Sequence, residues 1–340
     1  MGPKRIVGII MKKVLVTGGG GFVGKAIVRQ LVDRGISCVV VGRNRYNDLE
    51  ELGVQCLQGD IRDETFVYRS CEGVDTVFHV AALAGIWGRW RDYYSINVKG
   101  SENVVNGCRK HNVGSLVYTS TPSVVFSGED IVDGDESLPY AKRFLCHYAR
   151  SKVMAEKVIL QANNRNLYSC AIRPHLVWGP GDPHLIPRLL KRGRAGKLKM
   201  VGSGANLVDI SYVDNVAHAH LLAADNLKGV KSCAGKSYFI SQGEPVVLWQ
   251  WINELFDRLG INKVGNGIPL PVAYGLGALL EGVHTLLGKN DEPLMTRFLA
   301  EQLGKSHCFS IERAREDLGY QPLVSTEEGM KRLIDWVQSL

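Results

Sequence analysis

The chain has 340 residues, of which 45% are hydrophobic and 22% are charged, and its formal net charge is +7. These proportions are ordinary for a globular enzyme with one large domain or two modest ones. The charge is modest and no nucleic-acid-binding motif accompanies it, which argues against a nucleic-acid partner.

The cysteines and histidines give no sign of a disulfide framework or a metal site. The eight cysteines are scattered through apolar runs without a Cys-x-x-Cys pair, and no His-x-x-x-His has an acidic partner. This distribution predicts buried free thiols, a reducing compartment and hence a cytoplasmic protein that binds no metal. The apolar segment 6–10 is too short for a secretory signal, so residues 1–10 are interpreted as an N-terminal extension.

Apolar strands alternate with helical patterns through the first half of the chain. The predicted strands span 13–17, 37–41, 55–58, 76–80, 115–120 and 168–173, and a seventh at 237–241 rejoins them. Helical patterns cover about 21–34, 63–71, 91–112 and 143–164. The alternation predicts an α/β fold with a doubly wound parallel Rossmann sheet and right-handed crossovers.

The rest of the chain has a different character, with Pro and Gly breaks, helical patterns and few strands. We predict a dinucleotide-binding domain made of residues 11–179 and 207–242. Residues 180–206 and 243–340 form a smaller, mostly helical substrate domain. This domain would cover the carboxyl ends of the strands, where open α/β sheets bind ligands.

A glycine-rich turn follows the first strand. Gly18, Gly21 and Gly24 permit a tight turn, close approach to a pyrophosphate and close helix–strand packing. Phe22 and Val23 open the next helix, whose free N–H groups would face the phosphate. The turn predicts a dinucleotide site, although a lone glycine turn is a weak signal.

The second strand bears on the choice between NADP(H) and NAD(H). It ends without an acidic residue before Asp48, and Arg43 and Arg45 follow it. An acid here would bind the adenosine ribose of NAD, whereas arginine suits the 2′-phosphate of NADP. NADP(H) is favoured and NAD(H) stays open.

Two further segments are predicted to contact the cofactor. Asp60, followed by Ile61, is placed after the third strand to accept a hydrogen bond from adenine. A helix N-cap is the alternative role for Asp60, although Asp63 serves it better. Ala81 and Ala82 follow the fourth strand, where backbone must lie close to the cofactor.

Tyr148 and Lys152 lie one helical turn apart, on the same face of a predicted helix. With the glycine turn they indicate a nicotinamide enzyme that carries its own acid–base group. A nucleotide-binding protein without chemistry is the alternative of another class, and the intact pair argues against it.

Together these motifs resemble the extended short-chain dehydrogenases/reductases over nearly the whole chain. The resemblance rests on five motifs: the glycine turn, Gly-Asp-x-x-Asp at 59–63, the Tyr148/Lys152 pair, Asn-Val-Lys-Gly at 97–100 and the Arg-Pro-x-x-Val-Trp-Gly-Pro run at 173–180. The resemblance implies that Tyr148 is the general acid/base and that Lys152 assists it. A lysine cation and an oxidised nicotinamide would both lower the tyrosine pKa towards 7.

The same resemblance implies a hydroxyl at the end of the fifth strand and a homodimer. Thr121 is the favoured hydroxyl and Ser120 the reserve, and the choice stays open. The homodimer would form through the helices at 91–112 and 143–164.

Within that family the sequence resembles the 3β-hydroxysteroid dehydrogenase branch, on cues such as Ala-Ala-Leu-Ala-Gly-Ile-Trp-Gly at 81–88. The likeness implies reduction of a 3-keto group, or oxidation of a 3-hydroxyl, on a lipid-like long-chain β-keto or β-hydroxy acid. A 3β-hydroxysteroid or sterol-4-carboxylate dehydrogenase is the alternative, and a sugar-nucleotide epimerase or dehydratase is less favoured.

Three other segments bear on partners. The aromatic and arginine-rich stretch 82–94 predicts either a pocket for an apolar acid or simple packing. The basic stretch 188–199 is interpreted as a solvated helix end, with an anionic substrate or membrane surface as alternatives. The apolar helical face at 272–287 predicts core packing or a dimer contact, with a peripheral membrane or lipid-synthesis contact as the alternative.

Overall fold

The computed structural model describes residues 11–340, so the predicted extension 1–10 lies outside the described residues. The strands within 11–340 are β1 Lys13–Thr17, β2 Ser37–Gly42, β3 Gln55–Gln58, β4 Thr76–His79, β5 Ser115–Thr119, β6 Ile131–Gly134, β7 Tyr168–Pro174, β8 Val177–Trp178, β9 Met200–Val201, β10 Leu207–Val208, β11 Ser211–Tyr212, β12 Ser237–Ile240, β13 Val246–Val247, β14 Gly267–Ile268 and β15 His307–Phe309.

The helices of the same residues are α1 Phe22–Asp33, α2 Asn47–Glu50, α3 Glu64–Ser70, α4 Trp90–Tyr93, α5 Gly100–Lys110, α6 His147–Gln161, α7 Leu185–Arg194, α8 Val213–Lys228, α9 Leu248–Arg258, α10 Leu270–Leu286, α11 Arg297–Gly304, α12 Glu312–Leu318 and α13 Thr326–Gln338. A π-helical segment, Tyr94–Lys99, joins α4 to α5. The helix predicted over 91–112 is therefore interrupted. None of these helices is both long and apolar enough to cross a membrane.

A parallel seven-stranded sheet confirms the predicted Rossmann architecture. Its order is β12-β7-β5-β4-β1-β2-β3, and each predicted strand lies within one residue of its observed bounds. The chain winds from β1 towards β3 on one side and from β4 towards β12 on the other. The strand order therefore reverses between β1 and β4, and open sheets bind ligands at that point.

Apolar side chains cover both faces of the sheet, as the short hydrophobic strands predict. In β1, Val14 and Val16 join a core under α1 and α8, while Leu15 joins the opposite core under α3, α5 and α6. Alternation along the strand sends successive side chains to opposite cores.

A third core lies beyond the sheet and centres on Trp178, Tyr212 and Trp251. Its elements include α7, α9 and α13 and several two-residue strands. The sequence predicted few strands after residue 180, and it missed β9, β10, β11, β13, β14 and β15. Strands this short carry too little alternation to be recognised. The predicted division into two domains stays a prediction.

The apolar face predicted at 272–287 does not pack in a core. Val272, Leu276, Leu279 and Leu286 on α10 are exposed, whereas Glu281, expected to point away from the packed face, is buried. Core packing is therefore wrong for this face, because periodicity alone cannot tell which of two faces meets the protein, whereas the dimer and membrane contacts stay predictions.

Candidate active site

A cleft of about 530 Å³ lies at the carboxyl ends of the parallel strands. It brings together nearly all the residues predicted for the site: Gly18, Gly21, Phe22, Val23, Gly24, Arg43, Asp60, Ile61, Ala81, Ala82, Ser120, Thr121, Tyr148 and Lys152. Arg45 is the exception, because it is exposed and does not line the cleft.

The glycine turn forms a cradle that side chains would fill. Gly18 has a φ of +69°, and a Cβ there would lie 2.7 Å from the backbone of Ala81. A Cβ at Gly24 would lie 2.2 Å from the Gly18 carbonyl oxygen. Gly21 precedes α1, whose first N–H groups open towards the cleft. This cradle fits a dinucleotide pyrophosphate.

The end of β2 carries no free acidic side chain. Asp48, the nearest acid along the chain, pairs with Lys25 at 2.8 Å and does not line the cleft. Arg43 lines it instead. Tyr46, which sequence reasoning missed, packs so closely on the turn that a Cβ at Gly20 would overlap its ring.

Asp60 lines the cleft at the end of β3 but already has a partner. Its carboxylate accepts hydrogen bonds from Arg62 Nε at 3.0 Å and Nη2 at 2.6 Å. The bond to Arg62 lowers the Asp60 pKa. Asp63 caps α3 by accepting the Phe66 N–H at 3.0 Å, which is the role predicted for it.

Tyr148 stands at the start of α6 as a neutral phenol. Burial raises its pKa to about 12, and a hydrogen bond with the Thr121 side chain opposes that shift. The pKa expected from the sequence, nearer 7, required both a lysine cation and a bound nicotinamide. Burial therefore keeps the Tyr148 phenol protonated at neutral pH.

Lys152 is buried, one turn further along α6. Its Nζ donates to the Thr119 carbonyl oxygen at 2.6 Å and lies 4.2 Å from the centre of the Tyr118 ring. Burial lowers the Lys152 pKa to about 7, and the Glu156 carboxylate opposes that fall. Burial therefore disfavours the charged form of Lys152.

A buried polar network behind the site involves one of the two candidate hydroxyls, that of Ser120. Glu156 pairs with Arg173, whose Nη2 lies 2.5 Å from Glu156 Oε1. Ser120 and Tyr140 both donate hydrogen bonds to the same carboxylate. The Ser120 hydroxyl is therefore engaged with Glu156, whereas the Thr121 hydroxyl contacts the Ser123 hydroxyl at 3.2 Å and lines the cleft with Tyr148.

Asn97 fixes the segment that follows β4. Its side chain accepts the Leu83 N–H at 2.7 Å, donates to the Leu83 carbonyl at 3.1 Å and donates to the Ser151 hydroxyl at 2.8 Å. Asn97 lies in the π-helical segment, a feature frequent at functional sites. The motif Asn-Val-Lys-Gly was visible in the sequence, but this joining role was not.

The aromatic and arginine side chains of 82–94 do not line this cleft, although Ala82, Leu83 and Ala84 at the start of that stretch do. Trp87 and Arg89 line a second cleft of about 1210 Å³ beside α10. Tyr93 is buried and donates to the Gly85 carbonyl at 2.8 Å, which is a packing role. The residues of the basic stretch, 188–199, do not line the candidate active site. Within residues 11–340 no three His, Cys, Asp or Glu side chains cluster as a metal site would require.

A family model described as the 3-beta hydroxysteroid dehydrogenase/isomerase family matches residues 15–272. The chain belongs to this family. The 2-alkyl-3-oxoalkanoate reductase of Shewanella oneidensis is 50% identical over 326 residues, which are 94% of this chain and 84% of that protein. The mouse sterol-4-alpha-carboxylate 3-dehydrogenase, decarboxylating, is 35% identical and covers 95% of this chain and 90% of its own. These matches confirm the family resemblance that the motifs carry.

Solved structures show the same fold. The dTDP-glucose 4,6-dehydratase DesIV of Streptomyces venezuelae, solved with NAD and TYD bound, superposes with a TM-score of 0.75 at 23% identity. The match covers 96% of this chain and 97% of that chain. From its family and its named relatives, the chain is a nicotinamide-dependent oxidoreductase acting on a hydroxyl/carbonyl pair.

Removing one hydroxyl tests the choice between Thr121 and Ser120. Thr121→Val should lower kcat about 100-fold, because the reacting oxygen loses a preorganised hydrogen bond. Thr121→Ser should retain most of that activity. Ser120→Ala, the matched control, should keep kcat within about threefold and cost about 1 kcal/mol of unfolding free energy. Steady-state kinetics and urea denaturation measure both; a larger kcat loss in Ser120→Ala would reverse the assignment.

The pH profile tests Glu156 as a positioning residue. The Lys152 cation is lost as pH rises through about 7, so kcat/KM for reduction should fall along that limb. Glu156→Gln removes the carboxylate that raises the Lys152 pKa, and the limb should move about one unit lower.

Glu156→Gln leaves Arg173 without its partner, so the second variant combines it with Arg173→Met. The limb should move to lower pH in this double variant as well. A uniform loss of kcat/KM at every pH, with the limb unmoved in both, would mean that Glu156 serves only folding.

Proposed function

We propose that the chain uses NADPH to reduce the 3-keto group of a long-chain 2-alkyl β-keto acid, reversibly, with Tyr148 as proton donor. The observation that carries the chemistry is a neutral phenol that lines the same cleft as the Thr121 hydroxyl and the glycine cradle. The bound cofactor would supply the hydride. Tyr148 would give its proton to the carbonyl oxygen, while Thr121 orients that oxygen.

The lining of the cleft supports a lipid-like substrate. Ala84, Ile96, Leu176 and Leu185 contribute apolar surface in addition to the small residues after β4. A sugar would need several polar side chains to pair its hydroxyls, because an unpaired buried polar group is costly. The name of the 50%-identical relative supports a 2-alkyl-3-keto acid in particular.

A sterol-4-carboxylate dehydrogenase is the second candidate. The mouse relative spans 95% of this chain, and its named substrate also places a carboxylate near a 3-oxygen. The two candidates share the proposed roles of Tyr148, Thr121 and Lys152 and differ in the shape of the pocket.

The deciding experiment compares the two substrates directly. NADPH oxidation is followed with a long-chain 2-alkyl-3-keto acid, and reduction of NADP⁺ and NAD⁺ is followed with a 3β-hydroxysteroid. Keto-acid turnover should fall about 1000-fold or more in Tyr148→Phe, since the proton donor is lost. NADPH binding, measured by fluorescence, should persist in that variant. Turnover of the steroid alone would select the second candidate, and turnover that survives Tyr148→Phe would refute the catalytic role.

Arg43 is proposed to hold the 2′-phosphate of NADPH. It lines the cleft at the end of β2, where the nearby Asp48 is occupied by Lys25. Arg43→Gln should raise the Kd of NADPH about 10-fold or more and leave the Kd of NADH unchanged. Arg45→Gln is the matched control, because Arg45 is exposed outside the cleft and its loss should not discriminate between cofactors. Equal effects on both cofactors would contradict this role of Arg43.

A further inference from the structure

Helix α10 presents its largest apolar side chains to solvent. Leu279 is 64% exposed and Leu286 is 88% exposed. Among residues 11–340, twelve large hydrophobic side chains are exposed, and seven lie between 272 and 294: Val272, Leu276, Leu279, Val283, Leu286, Leu287 and Leu294. This concentration separates the segment from the scattered exposed apolar residues found on any protein surface. We call these seven residues the α10 surface.

The packing of the opposite face prevents α10 from turning this surface inward. A Cβ at Gly277 would lie 2.6 Å from the backbone of Thr296, so the helix contacts the start of α11 through a glycine. One turn later, Glu281 Oε1 accepts the Arg297 N–H at 2.7 Å, and Oε2 accepts from Arg297 Nε at 2.7 Å. Rotating the helix would break both contacts and bury leucines where only glycine fits.

Between residues 269 and 288, Glu281 is the only charged side chain, and it faces inward. Soluble helices normally place their charges outward, and α10 does the reverse. An outward face made of leucine, valine and glycine without a charge suits an apolar environment better than water.

Cations flank the α10 surface. The segment after α10 is held against α7, where Arg188 pairs with Glu292 at 2.7 Å and Arg192 Nη2 donates to the Leu294 carbonyl at 3.0 Å. Lys142 and Lys289 line the second cleft together with the last turns of α10, and both are exposed and form no ion pair within residues 11–340. An apolar surface beside unpaired cations is complementary to acyl chains beneath anionic headgroups.

We infer that the α10 surface binds the surface of an anionic phospholipid bilayer. α10 would lie in the plane of the interface, with its leucines among the acyl chains and Lys142 and Lys289 against the headgroups. Electrostatic attraction would act over about one Debye length and would weaken with salt.

The second cleft lies at the edge of this surface. It is lined by the loop around Trp87, by the last turns of α10 and by Cys146 and His147, which directly precede Tyr148. In this respect the inference rests on the proposed function, since a lipid-like substrate would have a route from the bilayer to the phenol. Binding to vesicles itself is independent of turnover and is tested separately.

The test is flotation of the purified full-length protein with phosphatidylcholine vesicles, with and without phosphatidylglycerol. The protein should float with the anionic vesicles, less with neutral ones, and less at high salt. Replacing three leucines by glutamine, at 276, 279 and 286, should lower the partition coefficient about 30-fold or more, because the inserted apolar area is lost. Lys142→Gln with Lys289→Gln should remove the preference for anionic vesicles.

Leu323→Gln is the matched control, because Leu323 is 61% exposed but lies outside the α10 surface. It should float like the parent protein, and thermal unfolding should confirm that every variant is folded. Absence of flotation in the parent protein, or equal flotation of the triple variant, would overturn the inference. Sedimentation completes the test: a parent dimer that the triple variant dissociates, without vesicle binding, would show instead that a second copy covers the surface.

Discussion

The burial of Lys152 beneath the candidate active site is the constraint on which the charges of the site depend. Lys152 and Arg173 are both almost fully buried, and Glu156 pairs with Arg173. Burial disfavours the ammonium form of Lys152, and the charge of the Glu156 carboxylate only partly opposes that shift. The Lys152 pKa falls to about 7, and Tyr148 keeps its proton.

The buried charge of Lys152 also acts on the first strands of the sheet. His79 is buried between Thr17 and Ser101, and burial together with the Lys152 charge lowers its pKa to about 3. The neutral ring of His79 forms one hydrogen bond with Thr17 of β1 and one with Ser101 of α5, and it thereby joins β1, β4 and α5. Since Thr17 also accepts the Ala81 N–H at 3.3 Å, His79 is connected by polar contacts to the residue against which Gly18 of the cradle packs.

The sequence alone predicted those features that depend on residues close to one another in the chain. The glycine spacing predicted the cradle, and the spacing of Tyr148 and Lys152 predicted a pair on one helix face; both lie in the cleft. Features that depend on contacts distant in sequence were not accessible. Whether Lys152 is charged depends on its burial and on Glu156, and the orientation of α10 depends on Gly277 meeting the backbone of another helix.

The cleft is assembled from two parts of the chain with different structural demands. The cofactor side consists of backbone turns and small residues in the first hundred positions, where almost any added atom would collide. The opposite wall, 182–185, belongs to a segment that follows Gly179 and Gly181, both with positive φ. Substitutions along that wall can change the ligand without disturbing the cradle or the phenol. Evolution can therefore vary the two sides at different rates, so that one scaffold serves unrelated ligands while its reacting centre stays fixed.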